Sequence, residues 1–270
     1  MTESIIRSRT NPLVKRLRAL KERGAGSDLA LLEGFTLVEE GLAAGLQIVE
    51  AAVTPAAEET PRGQDLVHQL SRRRTPVRRV AASVLESLSD AETSQGLVAL
   101  ARRPQFEEDA IYTPPALVIV AAGLQNPGNV GAVLRAAEAA GATGAYLTRG
   151  TADPFSWKAL RGAMGSAFRV PHVRGLAASE VLDRLRRRGV TILAAAAGTG
   201  DRYDATDLRR PVAFLLGQEA GGLDAGLFAA ADGRITIPMA GRAESLNVAV
   251  AAGVLLFEAA RQRATASGRR

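Results

Sequence analysis

Residues 116–123, ALVIVAAG, place seven apolar side chains in succession before a glycine. A strand with no polar side chain has no face to turn to water. It must be covered on both sides, a condition met in a parallel sheet flanked by helices. The rest of this half of the chain alternates accordingly. Strands are expected at GAYLT, FRVPHV, TILAAAA, VAFLLG and RITIPM. Helices are expected at AVLRAAEAAG, WKALRGAMGS, SEVLDRLRRRG, DAGLFAAA and from Ser245 to about Arg263. The pattern is that of an α/β fold.

The first hundred residues alternate too. A basic helix, NPLVKRLRALKERG, spaces Leu13, Val14, Leu17 and Leu20 along one face. Strands at LALLEG, IVEAAVT, VRRVA and QGLVALAR and intervening helices predict a separate, smaller α/β sandwich. Between the halves, RRPQFEEDAIYTPP is polar and carries three prolines, the composition of a linker. The expected organisation is a domain over 1–105, a linker over 106–115, a larger domain over 116–264 and a flexible tail over 265–270.

Composition removes several chemistries. With no cysteine there is no disulfide, thiolate nucleophile or cysteine-ligated zinc. The two histidines, His68 and His172, lie far apart outside any metal-binding pattern, so no metal site is expected. No apolar run reaches about eighteen residues, and the N-terminus lacks the apolar core of a secretion signal, so the expected location is cytoplasmic and off the membrane. Lysine occurs only at Lys15, Lys21 and Lys158, and arginine supplies the other 31 of the 34 basic residues behind the net charge of +6. Such a balance suits a polyanionic partner, although an arginine-rich bias would give the same total.

Three glycine-bearing loops follow three apolar strands: LQNPGNVGAVLR, GQEAGGL and PMAGRAESLNVAV. Ligands in open parallel sheets collect beyond the carboxyl ends of the strands, so the three together mark a site. In the first loop Asn129 is either a ligand or the cap of a helix starting near Val130. Arg135 offers a planar fork to a phosphate or ribose, or pairs with Glu138 on the surface. In the second, Glu219 sits between Gly217 and Gly221 as a ligand-binding or a solvated carboxylate. In the third, Ser245 is placed to cap the last helix, while Asn247 is disfavoured in a helix interior. Downstream, Leu246, Val250, Val254 and Phe257 form an apolar stripe, and Ala249, Gly253, Leu256 and Ala260 a face of mostly small residues suited to another element or a second subunit.

The loops in their order and spacing, NPGNVGAVLRAAEAAGA, LLGQEAGGL and ITIPMAGRAESLNVAVAAGVLLFEAARQ, resemble the three motifs of the SpoU/TrmH family of RNA ribose 2′-O-methyltransferases in the SPOUT class. The likeness spans about Leu117 to Gln262 and includes KALRGAMGSAFRVP between the first two motifs. Residues 5–100 look like the substrate-binding domain, similar to certain RNA-binding ribosomal proteins, that precedes the catalytic domain in many members. The resemblance implies a catalytic domain whose C-terminal segment is threaded into a trefoil knot, an exception to the rule against knots. It implies S-adenosylmethionine as methyl donor, RNA as substrate with large-subunit ribosomal RNA favoured over transfer RNA, and a homodimer with its active site near the subunit interface. By the same resemblance Arg135, Asn129, Glu219, Ser245 and Asn247 are the catalytic set. Gly217, Glu219, Ile237, Met239, Ser245, Leu246 and Asn247 are expected to hold the donor. Lys15, Arg16, Arg18, Lys21, Arg23, Arg135 and Arg161 are expected to meet RNA, with further basic stretches at Arg72–Arg79 and at Arg184, Arg186, Arg187 and Arg188. Two other readings remain: a dinucleotide enzyme, against which the missing G-x-G-x-x-G counts, and a non-catalytic RNA-binding protein that keeps the fold.

Overall fold

Apolar strands need helices on both faces, and the chain supplies them in the order its periodicity predicts. The computed structural model describes residues 5–23, 27–88, 94–218 and 221–266. Its elements begin with α1 (Pro12–Arg23), β1 (Leu29–Glu33), α2 (Phe35–Ala43), β2 (Ile48–Val53), α3 (Pro55–Glu58), α4 (Pro61–Arg72), β3 (Val77–Arg79), α5 (Ala82–Glu86) and β4 (Leu97–Arg102). They continue with β5 (Leu117–Ala121), α6 (Pro127–Ala139), β6 (Gly144–Leu147), α7 (Trp157–Ala163), β7 (His172–Arg174), α8 (Ala178–Arg187) and β8 (Thr191–Ala195). The last are β9 (Asp201–Arg202), β10 (Val212–Leu216), α9 (Ala225–Ala229), β11 (Gly233–Thr236) and α10 (Val248–Ala266). Two compact units result, one of Met1–Pro104 with Asp153–Phe168, the other of Gln105–Ala152 with Arg169–Arg270.

The first unit holds a four-stranded sheet ordered β1-β4-β2-β3, with β4 antiparallel to β1 and β2, and β3 parallel to β2. Side chains alternate across β4, so Val98 and Leu100 meet Leu13, Val14 and Leu17 of α1 on one face. Trp157 of α7 completes that core. Sequence position put α7 in the larger domain, but its burial belongs to this unit.

The second unit is a seven-stranded sheet ordered β7-β6-β5-β10-β8-β11-β9, parallel throughout. Every residue of β5 and β10 is buried, as the unbroken apolar runs require. Helix α8 covers one face through Val181, Leu182 and Leu185. Helix α10 packs on α6 and also meets β10 and β5. Its end is clasped by Arg263, whose guanidinium donates to the carbonyls of Leu208, Arg210, Pro115 and Ala116 at 2.7–3.0 Å. Burial draws the pKa of that guanidinium below its ordinary value.

Three expectations change. Residues 106–115 are a packed part of the second unit. Ile111 is fully buried in its core, and Tyr146 donates to Glu108 at 2.5 Å with Tyr112 2.5 Å from the Tyr146 hydroxyl. The prolines and carboxylates of this stretch conceal a few apolar anchors. The arginines in and just after α8 are largely neutralised: Arg184 pairs with Glu108 and Glu180, Arg186 with Asp183 and Asp232, and Arg188 with Asp109. The strand expected at FRVPHV is only His172–Arg174, preceded by a short helical turn at Ser166–Phe168. Among the described residues no helix is long and apolar enough to cross a membrane.

Candidate active site

All strands of the second unit run the same way, so the segments leaving β8, β10 and β11 emerge at one edge. They enclose a cavity of about 490 Å³ lined by Ala195–Ala197, by Leu216, Gly217, Gln218 and Gly222, and by Ile237, Met239 and residues 244–248. That volume lies within the range of small-molecule sites, and the lining combines apolar side chains with small residues that leave backbone accessible. Glu244 is the one charged side chain among the described residues of the lining.

The second loop is folded tightly back on itself. Gln218 and Gly222 exchange two backbone hydrogen bonds of 2.9 Å, and Gly222 takes the left-handed φ of 61°. A Cβ at Gly217 would lie 2.2 Å from the Gly222 carbonyl carbon. Gly217→Ala must therefore open the loop and distort the cavity wall. Donor affinity measured by calorimetry is expected to fall at least about tenfold, by the 1.4 kcal/mol equivalence. Unchanged affinity would show that the loop does not shape the pocket.

Asparagines join the first and third loops. Asn126 caps α6, its Oδ1 accepting from Gly128 N at 2.9 Å and Asn129 N at 3.4 Å. The cap expected at Asn129 is thus taken three residues earlier, where Pro127 suits the first helical position. Asn247 caps α10, accepting from Ala249 N at 2.9 Å and Val250 N at 3.4 Å, in place of the expected Ser245. Its Nδ2 donates to Asn129 Oδ1 at 3.1 Å. Using both ends of one amide, Asn247 ties the start of α10 to the first turn of α6.

Gly217, Ile237, Met239, Ser245, Leu246 and Asn247 all line the cavity, whereas Glu219 lies outside the described residues. Arg135 is exposed on α6, about 120° around the helix from Asn129, and is not part of the lining. The partner suggested for it, Glu138, is held by Arg169 instead. In the first unit Lys15 is exposed, Arg18 is half-buried, Arg16 pairs with Glu50, and Lys21 and Arg161 both stand over the Trp157 ring. The side chain of Arg23 lies outside the description. Arg78 and Arg79 pair with Glu50 and Glu58, whereas Arg72, Arg73 and Arg74 are exposed with no acidic partner among the described residues. Sequence reasoning missed Ala195–Ala197, Gln218 and Glu244. The alanines carry no side-chain chemistry, and only their place at the end of an apolar strand marks them.

The comparisons agree with this geometry. Residues 116–257 match the SpoU rRNA methylase family, and residues 31–107 match the RNA 2′-O ribose methyltransferase substrate-binding family. A 23S rRNA guanosine 2′-O-methyltransferase of Bacillus subtilis, RlmP, is 34% identical over 90% of this chain and 92% of its own length. The crystal structure of an AdoMet-bound rRNA methyltransferase from Sinorhizobium meliloti is similar with a TM-score of 0.81 at 31% identity, covering 96% of this chain and 97% of that one. The SpoU methyltransferase AviRb of Streptomyces viridochromogenes, in complex with AdoMet, is similar with a TM-score of 0.82 at 27% identity, covering 94% of this chain and all of the other. The parallel sheet, the second and third loops meeting at one cavity and the two family matches lead to one conclusion: the chain belongs to the SpoU family of RNA ribose 2′-O-methyltransferases.

Proposed function

We propose that this enzyme methylates a ribose 2′-hydroxyl of large-subunit ribosomal RNA, with S-adenosylmethionine held in the cavity beyond β8, β10 and β11. The carrying observation is that cavity, walled by Gly217, Ile237 and Asn247, the last of which donates to Asn129 of the first loop. It fits the donor in volume, in its mixture of apolar and backbone surface, and in offering Glu244 to a cationic ligand. The bound donor supplies an electrophilic methyl group on a sulfonium. The name of the B. subtilis relative, matched across both family regions, favours ribosomal RNA.

The chain's own residues must place the ribose hydroxyl and relieve it of its proton. A guanidinium stays protonated in proteins, so Arg135 is a poor general base. It binds the phosphate beside the target ribose, orients the hydroxyl and stabilises charge growing on the 2′-oxygen, while a phosphate oxygen takes the proton. Asn129 and Glu219 hold the arginine and ribose, and Ser245 and Asn247 shape the donor pocket.

The same reading makes the enzyme a homodimer with its active site near the subunit interface. In support, Val250 and Phe257 of α10 are each 52% exposed, whereas Leu256 from the small-residue face is buried in the unit. Arg135 also stands outside its own chain's cavity. The reading includes the trefoil knot. The chain passes from β11, beside β8, to α10, against β10 and β5, so residues 237–247 cross the carboxyl ends of the sheet. Cytoplasmic location follows from a ribosomal substrate. The test is ribose-methylation mapping of total RNA from a deletion strain. Loss of one large-subunit ribose methyl group, restored by the purified enzyme and S-adenosylmethionine, is expected. Loss confined to transfer RNA would overturn the substrate, and no loss at all would overturn the activity.

A further inference from the structure

Trp157 lies in the core of the first unit with 7% of its surface exposed, and its Nε1 donates to Glu33 of β1. Two cations stand over its ring: Lys21 Nζ, from the end of α1, at 4.9 Å from the centroid, and the Arg161 guanidinium, from α7, at 4.8 Å. Arg161 is one turn from Trp157 on the same helix, but Lys21 comes from a distant part of the chain. The indole thus brings two helices' charges together, and by those distances they stand no more than about 10 Å apart. Each has a companion one turn earlier on its own helix, Arg18 before Lys21 and Lys158 before Arg161. Lys158 and Arg161 are exposed and Arg18 is half-buried, and none of the three has a carboxylate partner among the described residues.

Packing alone explains why a long cationic side chain covers an indole. It does not explain why each helix carries a further cation one turn before the one on the indole, half-buried Arg18 and exposed Lys158, with no acid answering either among the described residues. We propose that Lys21 and Arg161, fixed on Trp157 and flanked by Arg18 and Lys158, form a phosphate-binding rim that holds the RNA strand by its backbone. This rests on the RNA methyltransferase reading above and assigns the surface through which the first unit grips the substrate. Phosphates neutralised at such a rim release counterions. The rim therefore contributes affinity independent of base sequence and steeply dependent on salt. The indole holds two of the charges in place before RNA arrives, lowering the ordering cost of the contact.

The test uses the full-length protein and a large-subunit ribosomal RNA fragment, titrated from about 50 to about 200 mM salt. Lys21→Gln with Arg161→Gln removes two phosphate contacts, so the slope of log affinity against log salt should flatten by about 1.4 on single strands and about 1.8 on duplex. Across that salt range the variant should lose about tenfold less affinity than the wild type. Calorimetric binding of S-adenosylmethionine should be unchanged. Arg18→Gln with Lys158→Gln, which leaves the indole contacts alone, should flatten the slope similarly and supplies the result if the first pair unfolds. Lys21→Arg with Arg161→Lys should keep the wild-type slope. A wild-type slope in both folded glutamine pairs overturns the rim while leaving the methyltransferase reading intact. A wild-type protein with no salt-dependent RNA binding overturns both.

Discussion

Arg135→Ala is expected to abolish methyl transfer while leaving donor binding intact, and mixing it with Gly217→Ala is expected to restore turnover. Removing one donor aimed at developing negative charge costs about 10²–10³ in rate, and Arg135 is assigned that task. Because Arg135 is exposed on α6 and absent from the cavity lining, its own loss should not weaken S-adenosylmethionine. Gly217→Ala carries the opposite defect, a good arginine with a damaged pocket. If one subunit supplies the arginine to the other's cavity, each mixed dimer contains one intact site. Random mixing then yields about a quarter of wild-type turnover, since half the dimers are mixed and each works at half strength. If arginine and pocket act within one chain, every site in every dimer is defective and mixing yields nothing. Arg135→Lys refines the result, because lysine keeps the charge and loses the planar fork. Near-normal single-turnover methylation by that variant would rule out a required bidentate contact.

The site was legible where function demands a backbone feature, and less so where it demands a choice between similar side chains. Gly217 stands out in the sequence between an apolar strand and two further glycines, and in the fold a methyl group there would strike backbone. The capping residues were misassigned because NPGN and ESLN each offer two competent caps within four positions. Geometry selected Asn126 and Asn247, and in the first case Pro127 was the available signal. The fully apolar β5 and β10 were unmistakable, whereas β9 is two exposed residues at the edge of the sheet, paired with β11. Periodicity can assign an element, but it is silent on which core that element joins. That is how residues 153–168 were placed with their sequence neighbours while their apolar side chains complete the other unit.

This shared core sets the second large effect. Trp157→Ala should destabilise the first unit by about 3–5 kcal/mol, the cost of emptying a buried tryptophan site. That is a large fraction of the roughly 5–15 kcal/mol by which domains are stable. The loss has three sources: a cavity beside Leu17, Leu31 and Leu100, a Glu33 carboxylate without its indole donor, and two cations without their ring. Trp157→Phe keeps most of the volume and the ring face, and should lose only about 1–3 kcal/mol, the cost of an unsatisfied buried partner. Urea unfolding followed by circular dichroism measures both, and an alanine variant within 1 kcal/mol of wild type, about the centre of ordinary point mutations, would show that Trp157 does not organise the unit. The same packing changes how the two halves can be separated. Truncation at residue 105 leaves Phe155, Trp157 and Leu160, all buried in the intact chain, with no core to enter. Such a fragment should aggregate and lose donor binding together with RNA binding. Replacing 153–168 by a short polar linker in the same truncation should recover donor binding alone, because the residues that line the cavity all belong to the second unit.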